Sequence, residues 1–238
     1  MRIAIIGYGK MGKAIESSAI KKNHQVVLKI NSQNTDDFNE ENLKSVDVAI
    51  EFTNPHSAVK NISFLLQHNI PVVSGSTGWN DEIEKVNTLC NKNNGSLLVA
   101  SNFSVGVNLF FEINRKVAQL MNHHNAYDVL VEEIHHTQKK DAPSGTAITI
   151  AEQIIKNVNR KQKWVNVSAS SSNELEIVSK RIDPAPGTHI VKYFSEIDDI
   201  EISHTAHNRI GFASGALLAA EFIYNKQGIF TMKDVLGL

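Results

Sequence analysis

The residues most able to do chemistry in this chain lie at positions 132–146, which read EEIHHTQKKDAPSGT. Two histidines, two lysines and three acidic residues fall within these fifteen positions. His135 and Lys139 are four residues apart, at the end of a predicted strand. A histidine exchanges a proton near neutral pH, and a lysine offers a cation to a carboxylate or a second proton. The spacing therefore indicates a site that transfers protons and binds anions.

A turn at the end of this stretch offers hydrogen-bond donors to an anion. Ser144, Gly145 and Thr146 precede a predicted helix over residues 147–158. The first amides of a helix have no acceptor within the helix, and they lie at its positive end. Pro143 restricts the backbone that leads into the turn. The alternative is a solvated, charged loop that only caps the helix, although adjacent histidines and a Pro-Ser-Gly turn are unusual in such loops.

A second motif is GYGKMG at residues 7–12. It matches GxGxxG, and it lies between a predicted strand and a predicted helix, which is the context that this motif requires. Glycines allow backbone amides to approach a pyrophosphate at the positive end of the helix. The alternative is a tight turn without a ligand. The motif predicts that a dinucleotide binds to Gly7, Tyr8, Gly9, Lys10, Met11 and Gly12.

Asn31 occupies the position at which an acidic residue usually binds the ribose hydroxyls, about twenty residues after the glycines. An amide still forms a hydrogen bond with a hydroxyl, but it does not repel a 2′-phosphate as a carboxylate would. Lys29 and Ser32 lie on either side of Asn31. The pattern favours NADPH, or the use of both NADPH and NADH, unless Asn31 only begins a loop.

Two further loops follow predicted strands, at the edge of an open parallel sheet where ligands bind. They read GSTG at residues 75–78 and ASNF at residues 100–103. Small side chains at these positions would let a nicotinamide ring lie close to the backbone. Taken alone, each segment is only a loop. The residues that this interpretation adds to the cofactor site are Gly75, Ser76, Thr77, Ala100, Ser101, Asn102 and Phe103.

The ten histidines raise the question of a metal site. The pairs at residues 123–124 and 135–136, and His204 with His207, could supply ligands. None of them has a cysteine partner or lies in an HExxH sequence, and their spacing matches no structural zinc site. No metal is expected.

The first hundred residues contain the elements that would position the cofactor loops. Strand-like runs alternate with amphipathic helical runs, and Asn54-Pro55 begins one of the helices as its N-cap and first helical residue. Strict alternation predicts a parallel sheet covered by helices on both faces, a Rossmann-like α/β domain. The strands are predicted at residues 2–6, 25–30, 46–52, 71–74 and 96–100.

The pattern changes after Ser101. Helices are predicted at residues 107–121 and 147–158, and strands at residues 127–133, 165–169, 174–180, 189–196 and 200–204. Many strands with few helices indicate a smaller α+β domain with a mixed or antiparallel sheet. The tail from Ala213 onward is predicted to be helical and to return to the first domain.

The composition excludes several other classes of protein. A formal net charge of −1 over 238 residues argues against a nucleic-acid-binding surface. No apolar run is long enough to span a bilayer, and the N-terminal residues lack the cleavage site of a signal peptide. Cys90 is the only cysteine, so no intrachain disulfide can form, and a reducing, cytoplasmic compartment is expected.

Together the motifs resemble those of the dihydrodipicolinate reductases, also called 4-hydroxy-tetrahydrodipicolinate reductases, of the diaminopimelate route to lysine. The resemblance covers essentially the whole chain. The motif at residues 135–147 is the most specific of the six. In order, they are GYGKMG at 7–12, EFTNP at 51–55, GSTGW at 75–79, SNFSVGVN at 101–108, HHTQKKDAPSGTA at 135–147 and SHTAHNRIGFASGA at 203–216.

The resemblance implies a nucleotide-binding domain over residues 1–103 and 210–238. It also implies a substrate-binding and oligomerisation domain over residues 104–209 that forms the core of a homotetramer. Proton transfer is assigned to His135 and Lys139. The substrate carboxylates would be bound by His136, Ser144, Gly145 and Thr146. Residues 7–12, 75–77 and 100–103 would hold NADPH or NADH.

The implied reaction reduces a cyclic imine dicarboxylate. After the substrate loses its hydroxyl as water, NAD(P)H delivers a hydride to C4, and the His135–Lys139 pair protonates the resulting enamine. Thr137 and Gln138 stand where the family often has basic residues. One alternative is another two-domain dehydrogenase of small amino or keto acids, which would not require the motif at residues 135–147. A second alternative is a non-catalytic NAD(P)-sensing regulator, which would bind nucleotide without turnover.

Overall fold

The computed structural model describes residues 1–208 and 210–238, and these residues form two compact units. The first unit contains Met1–Val105 and the described residues 210–238, and the second contains Gly106–Asn208. The division expected from the sequence, 1–103 with 210–238 and 104–209, remains a prediction. Its boundary at Arg209 lies outside the described residues.

A six-stranded parallel sheet organises the first unit. Its order is β2-β1-β3-β4-β5-β11, and the predicted Rossmann-like sheet is confirmed. Because β2 and β3 lie on opposite sides of β1, a crevice opens at the carboxyl ends of β1 and β3. The strands are β1 (Arg2–Ile6), β2 (Gln25–Ile30), β3 (Val48–Glu51), β4 (Val72–Ser74), β5 (Ser96–Val99) and β11 (Gly228–Phe230).

Helices cover both faces of this sheet. They are α1 (Lys10–Lys21), α2 (Glu40–Leu43), α3 (Pro55–Gln67), α4 (Ile83–Lys92), α7 (Ile210–Ile223) and α8 (Met232–Leu236). Ala4 and Ile6 belong to the core with α3 and α4, whereas Ile3 and Ile5 belong to the core with α1 and α7. Burial on both faces is the reason that β1 reads as a continuous apolar run.

Two short elements of this unit, besides a 3₁₀ turn at Thr35–Asp37, were not predicted. One is α2, and the other is β11, which makes the prediction of an entirely helical tail wrong. β11 exists because the edge of β5 offers backbone partners, with Gly228 and Phe230 opposite Ser96 and Leu98. Three residues are too few to show an alternating pattern, so tertiary pairing decides this strand.

The second unit contains a five-stranded sheet in the order β10-β9-β6-β8-β7. β6, β8 and β7 pair in parallel, and β9 is antiparallel to both β6 and β10, so the predicted mixed sheet is confirmed. The strand expected at residues 165–169 lies slightly earlier, at β7. The elements are α5 (Val105–Met121), β6 (Asp128–His135), α6 (Gly145–Asn157), β7 (Lys163–Val165), β8 (Glu174–Arg181), β9 (Gly187–Phe194) and β10 (Asp199–Ala206).

The register of β6 places Glu133 and His135, two residues of the charged stretch, in the core. Burial alternates along the strand, and Val129 and Val131 pack against α5 and α6. Glu133 and His135 share that buried face because side chains repeat every two residues along a strand. Glu132 points to the other face, where its carboxylate pairs with Lys180 at 2.6 Å.

No helix in the described part of the chain combines the length and the apolar character needed to cross a bilayer. The longest of these helices, α5, has 17 residues. One side of it, which includes Phe110, Phe111 and Ala118, packs in the core of the second unit, whereas Leu109, Ile113 and Leu120 are exposed.

The packing of α7 generates a testable prediction. A Cβ added at Gly215 would lie 1.8 Å from the carbonyl oxygen of Phe103, whereas one added at Gly211 would meet nothing closer than Ser104 Oγ at 3.8 Å. Gly215→Ala should push the helix off the Phe103 backbone and lower the free energy of unfolding by about 1–3 kcal/mol. Gly211→Ala, one turn earlier, is the matched control and should cause no such loss. Equal denaturant midpoints for the two variants would contradict the close contact.

Candidate active site

A cavity of about 850 Å³ lies at the carboxyl ends of β1, β2 and β3. Gly7, Tyr8, Gly9 and Asn31, four of the residues predicted to bind the cofactor, line it. Residues 75–77 and 100–103 are not among the described residues that line this cavity. The structure therefore places the glycine motif and Asn31 at one crevice and the other two predicted loops beside it.

The three glycines of the motif differ in the space around the position that a Cβ atom would take. Gly7 has φ +98°, and a Cβ there would lie 2.0 Å from the carbonyl oxygen of Phe52. A Cβ at Gly12 would lie 2.7 Å from the carbonyl oxygen of Gly7, so this glycine permits close packing of helix and strand. Gly9 has no atom within 4 Å of the Cβ position, so its backbone is open to a ligand. Lys10 and Met11 form the first residues of α1.

Phe52 joins the loops that follow four strands. Its carbonyl oxygen lies against Gly7, and its ring lies 2.1 Å from the Cβ position of Gly75. The centroid of its ring is 5.6 Å from that of Phe103. The loops after β1, β3, β4 and β5 therefore meet at one side chain. The sequence interpretation gave Phe52 no role, although an aromatic residue in the EFTNP motif directly after a buried strand was the available signal.

The carboxyl group of Glu51 ties two of these loops together. Glu51 ends β3 and is fully buried. Its Oε2 accepts a hydrogen bond from Ser74 Oγ at 2.6 Å, and its Oε1 accepts one from Ser76 Oγ at 2.9 Å. Thr53 donates to Oε1 through both its backbone nitrogen, at 3.0 Å, and its hydroxyl. Sequence reasoning missed Glu51 because a charged strand end acquires partners only when the neighbouring strand is in place.

Asn31 takes part in a local turn as well as lining the cavity. Its backbone nitrogen donates to Asn34 Oδ1 at 2.8 Å, and its Oδ1 accepts from the nitrogen of Gln33 at 2.7 Å. Lys29 forms an ion pair with Glu16 at 3.1 Å. The loop-starting role of Asn31 is therefore real, and it is compatible with a ligand contact through the side-chain amide.

In the second unit, the predicted catalytic residues lie at and just beyond the end of β6. His135 is the last residue of the strand and is 9% exposed. Lys139 donates to both carboxylate oxygens of Asp141, at 2.9 and 2.8 Å. Burial alone would raise the pKa of Asp141, but this ion pair with Lys139 holds the pKa of Asp141 below its usual value.

The predicted anion-binding turn begins α6. Ser144 is the N-cap, and its Oγ accepts from the nitrogen of Ala147 at 3.2 Å. Gly145 and Thr146 form the first turn, and the Cβ position of Gly145 has no atom within 4 Å. Nδ1 of His136 is buried and makes no hydrogen bond to the described residues. An acceptor such as a substrate carboxylate would satisfy a protonated Nδ1.

Glu133 is the central acceptor of this unit, and the sequence interpretation did not single it out. It is fully buried and accepts from Ser179 Oγ at 2.8 Å and from Arg181 Nη2 at 3.1 Å. The nitrogen of Ser144 donates to both carboxylate oxygens, at 3.2 and 3.1 Å. Burial by itself would raise the pKa of Glu133, but the contacts from His135, Ser144, Ser179 and Arg181 outweigh burial and hold the pKa of Glu133 far below its usual value.

His189 on β9 completes the cluster. Its ring centroid lies 5.2 Å from that of His135, and its Nε2 lies 3.3 Å from Ser144 Oγ. Burial, together with the nearby His135, lowers the pKa of His189 to about 3. The register pairs His189 with Glu133 across the sheet, and only this pairing reveals the residue as part of the site.

Ligand-type atoms of Glu133, His135 and His189 all lie within 4.8 Å of one another. Such a group could hold a cation, and it was not among the histidine pairs considered from the sequence. However, Arg181 Nη2 lies 3.1 Å from Glu133 Oε1, and a guanidinium at this distance already supplies the positive charge. The chemistry of this donor set fits an internal ion-pair network better than a metal site.

The first unit has a parallel sheet with a glycine turn at its switch point, and the second unit carries a buried histidine–carboxylate cluster. These features define a two-unit nucleotide-binding oxidoreductase. Comparison with known families matches residues 1–103 to the N-terminus of dihydrodipicolinate reductase and residues 106–236 to its C-terminus. The chain belongs to the dihydrodipicolinate reductase family.

Individual relatives agree with this assignment. The chain is 48% identical to a 4-hydroxy-tetrahydrodipicolinate reductase of Christiangramia forsetii, over 100% of this chain and 98% of the relative. It is 37% identical to the protein of the same name from Methanoregula boonei, over 82% of this chain and 76% of the relative. A dipicolinate-bound dihydrodipicolinate reductase from Paenisporosarcina sp. TG-14 superposes with a TM-score of 0.80 at 25% identity, with 97% of each chain covered.

The Glu51 contacts predict a specific loss of nucleotide affinity. Glu51→Gln places an amide donor where Ser74 or Ser76 now donates, so the loops after β3 and β4 should loosen. The Kd for NADPH, measured by fluorescence titration, is expected to rise about tenfold, which corresponds to about 1.4 kcal/mol. Glu41→Gln, on the exposed α2 of the same unit, is the control and should leave the Kd unchanged. An unaltered Kd in the Glu51 variant would contradict its role in arranging the loops.

Proposed function

We propose that this protein reduces 4-hydroxy-tetrahydrodipicolinate to tetrahydrodipicolinate with NADPH or NADH, in the diaminopimelate route to lysine. The observation that carries the proposal is the cluster at the end of β6, where His135 and the N-terminal turn of α6 are connected through one buried carboxylate. A relative that is 48% identical over the whole chain is named for this activity. The similar Paenisporosarcina structure has dipicolinate bound, which supports a small cyclic dicarboxylate as substrate.

The first unit would bind the cofactor. Residues 7–12 would hold the pyrophosphate, because the open backbone at Gly9 leads into the positive end of α1. The loops at residues 75–77 and 100–103 would hold the nicotinamide end, since Phe52 packs them beside the glycine turn. When bound, the reduced nicotinamide supplies a hydride to C4 of the substrate.

The second unit would bind the two substrate carboxylates and supply the proton. His136, Ser144, Gly145 and Thr146 would hold a carboxylate through the α6 N-terminus and the buried Nδ1 of His136. His135 and Lys139 would protonate the enamine that remains after hydride addition. The ion pair of Lys139 with Asp141 restricts the position of the lysine side chain.

We further propose that the chain assembles as a homotetramer through the second unit. The residues of its sheet that belong to the core cluster all lie on one face, with α5 and α6. Leu130, Ile134 and Ile190 point to the opposite face, are only partly buried, and alternate with Glu132 and Lys192. The apolar side chains of this face are not part of the core cluster, and a contact with another copy would bury them.

A reducing, cytoplasmic location is also proposed. Cys90 is the only cysteine of the chain, and it is buried in the core of the first unit. Burial raises the pKa of the Cys90 thiol, so the thiol is unreactive. A chain that forms no intrachain disulfide and keeps its one thiol buried is suited to a reducing compartment.

The roles of His135 and Lys139 predict a split between turnover and cofactor binding. His135→Ala and Lys139→Ala should each lower turnover about 100-fold or more, because the proton donor is lost, and leave the Kd for NADPH nearly unchanged. Lys140→Ala, at the exposed neighbouring position, is the control and should turn over normally.

The assay mixes pyruvate, aspartate semialdehyde and the synthase that condenses them, adds this protein, and follows NADPH and NADH consumption separately. Undiminished turnover in both variants would remove the proposed roles. If the native protein consumed neither cofactor, the reductase proposal itself would fail.

Asn31 predicts the cofactor preference. Asn31→Asp keeps the oxygen that accepts from Gln33, so the turn should persist, but it adds a negative charge beside the predicted 2′-phosphate position. The value of kcat/KM for NADPH should fall about tenfold, while the value for NADH stays nearly constant. An equal loss with both cofactors would show that Asn31 acts only through the turn.

A further inference from the structure

A buried carboxylate lies directly behind the proposed proton donor. Glu133 and His135 share the inner face of β6, two residues apart. Oε2 of Glu133 is 3.4 Å from Nε2 of His135 and 4.0 Å from Nε2 of His189. The side chain of Glu133 is fully buried, so no solvent screens its charge from the imidazole.

The other contacts of Glu133 keep it ionised. Arg181, Ser179 and the nitrogen of Ser144 donate to its oxygens, and the pKa of Glu133 is far below the usual range. Arg181 also donates to the carbonyl oxygen of Asp141 at 2.6 Å, so the guanidinium is fixed in place. The titratable and charged groups that face the pair are Arg181 from β8, His189 from β9 with His204 of β10 beyond it, and Lys139 and Asp141 from the loop after β6.

The imidazole of His135 is confined on its other side by Gly187. A Cβ added at Gly187 would lie 2.9 Å from Cε1 of His135 and 3.2 Å from its Nδ1. The ring therefore lies between the backbone of β9 and the carboxylate of Glu133. Nε2 of His135 is buried and makes no hydrogen bond to the described residues, so its contact with the carboxylate at 3.4 Å is electrostatic. A carboxylate has only acceptor atoms, so it favours the imidazole tautomer that carries its hydrogen on the nitrogen facing it.

We propose that Glu133 is the positioning residue of His135: its carboxylate favours a hydrogen on the facing Nε2, orients the imidazole, and leaves Nδ1 to exchange the proton with the substrate. The same carboxylate accepts from the nitrogen of Ser144, so it also sets the distance between the proton donor and the anion-binding turn of α6. This inference rests on the proposed role of His135. It adds to that role the group that orients the imidazole.

The test follows the titration of His135 by NMR, through its ring Cε1 proton, which is identified by its absence in His135→Gln. In Glu133→Gln the midpoint should move to lower pH by about one unit, because a negative charge next to the imidazolium is lost. The descending limb of kcat/KM at high pH should move in the same direction. At a pH above that limb, turnover should fall about tenfold relative to the native protein.

Glu132→Gln is the matched control, because Glu132 is adjacent in sequence but points to the other face and pairs with Lys180. Its titration and its pH profile should be native. Glu133→Asp retains the charge and should restore the midpoint, while the shorter side chain leaves kcat reduced. A role limited to folding would lower the thermal midpoint of Glu133→Gln without moving either pH profile.

A second variant keeps the inference testable if Glu133→Gln does not fold. Arg181→Gln removes the cation that competes for the carboxylate, so the midpoint of His135 should move to higher pH. Native midpoints in every variant that folds would overturn the inference. Because the NMR titration needs no turnover, this failure is distinct from a native protein that consumes no NADPH, which would overturn the reductase proposal.

Discussion

The constraint on which both parts of the molecule depend is that a buried carboxyl group must be given hydrogen-bond donors. Glu51 and Glu133 are each fully buried at the carboxyl-terminal part of a central strand. An unsatisfied group of this kind costs several kcal/mol, so the surrounding loops adopt the conformations that bring donors to it. Ser76 and Thr53 surround the first carboxyl group, and Ser144 and Arg181 the second. In each unit, one of the proposed functional loops supplies one of these donors, Ser76 in the first unit and Ser144 in the second.

Packing at small residues adds a second restriction in the first unit. The backbone and ring of Phe52 occupy the space that side chains at Gly7 and Gly75 would need, and the carbonyl of Phe103 occupies the space at Gly215. The glycine motif is therefore part of a set of close approaches that extends from the first strand to the C-terminal helix α7. This explains why the last segment of the chain is structurally part of the first unit.

The sequence predicted the parallel sheet, the mixed sheet and the helix that begins at Ser144, because each depends on local periodicity or on a local cap. It also pointed to the glycine motif, which the structure places at the switch point of the sheet. It missed β11, whose pairing with β5 is the reason for its existence. It also missed His189 and Arg181, since residues on three different strands become neighbours only through the register of the second sheet.

The sequence by itself therefore determined which elements form and which residue types are available for binding anions and exchanging protons. It also determined the family, because the motifs occur in their full order along the chain. Only the tertiary structure decided that Glu132 and Glu133, two adjacent glutamates, differ in burial. The strand period places Glu132 on the partly buried outer face and Glu133 in the core beside His135. Only the folded sheet supplies the low-dielectric surroundings and the neighbouring strands that turn this carboxylate into a partner of the histidine.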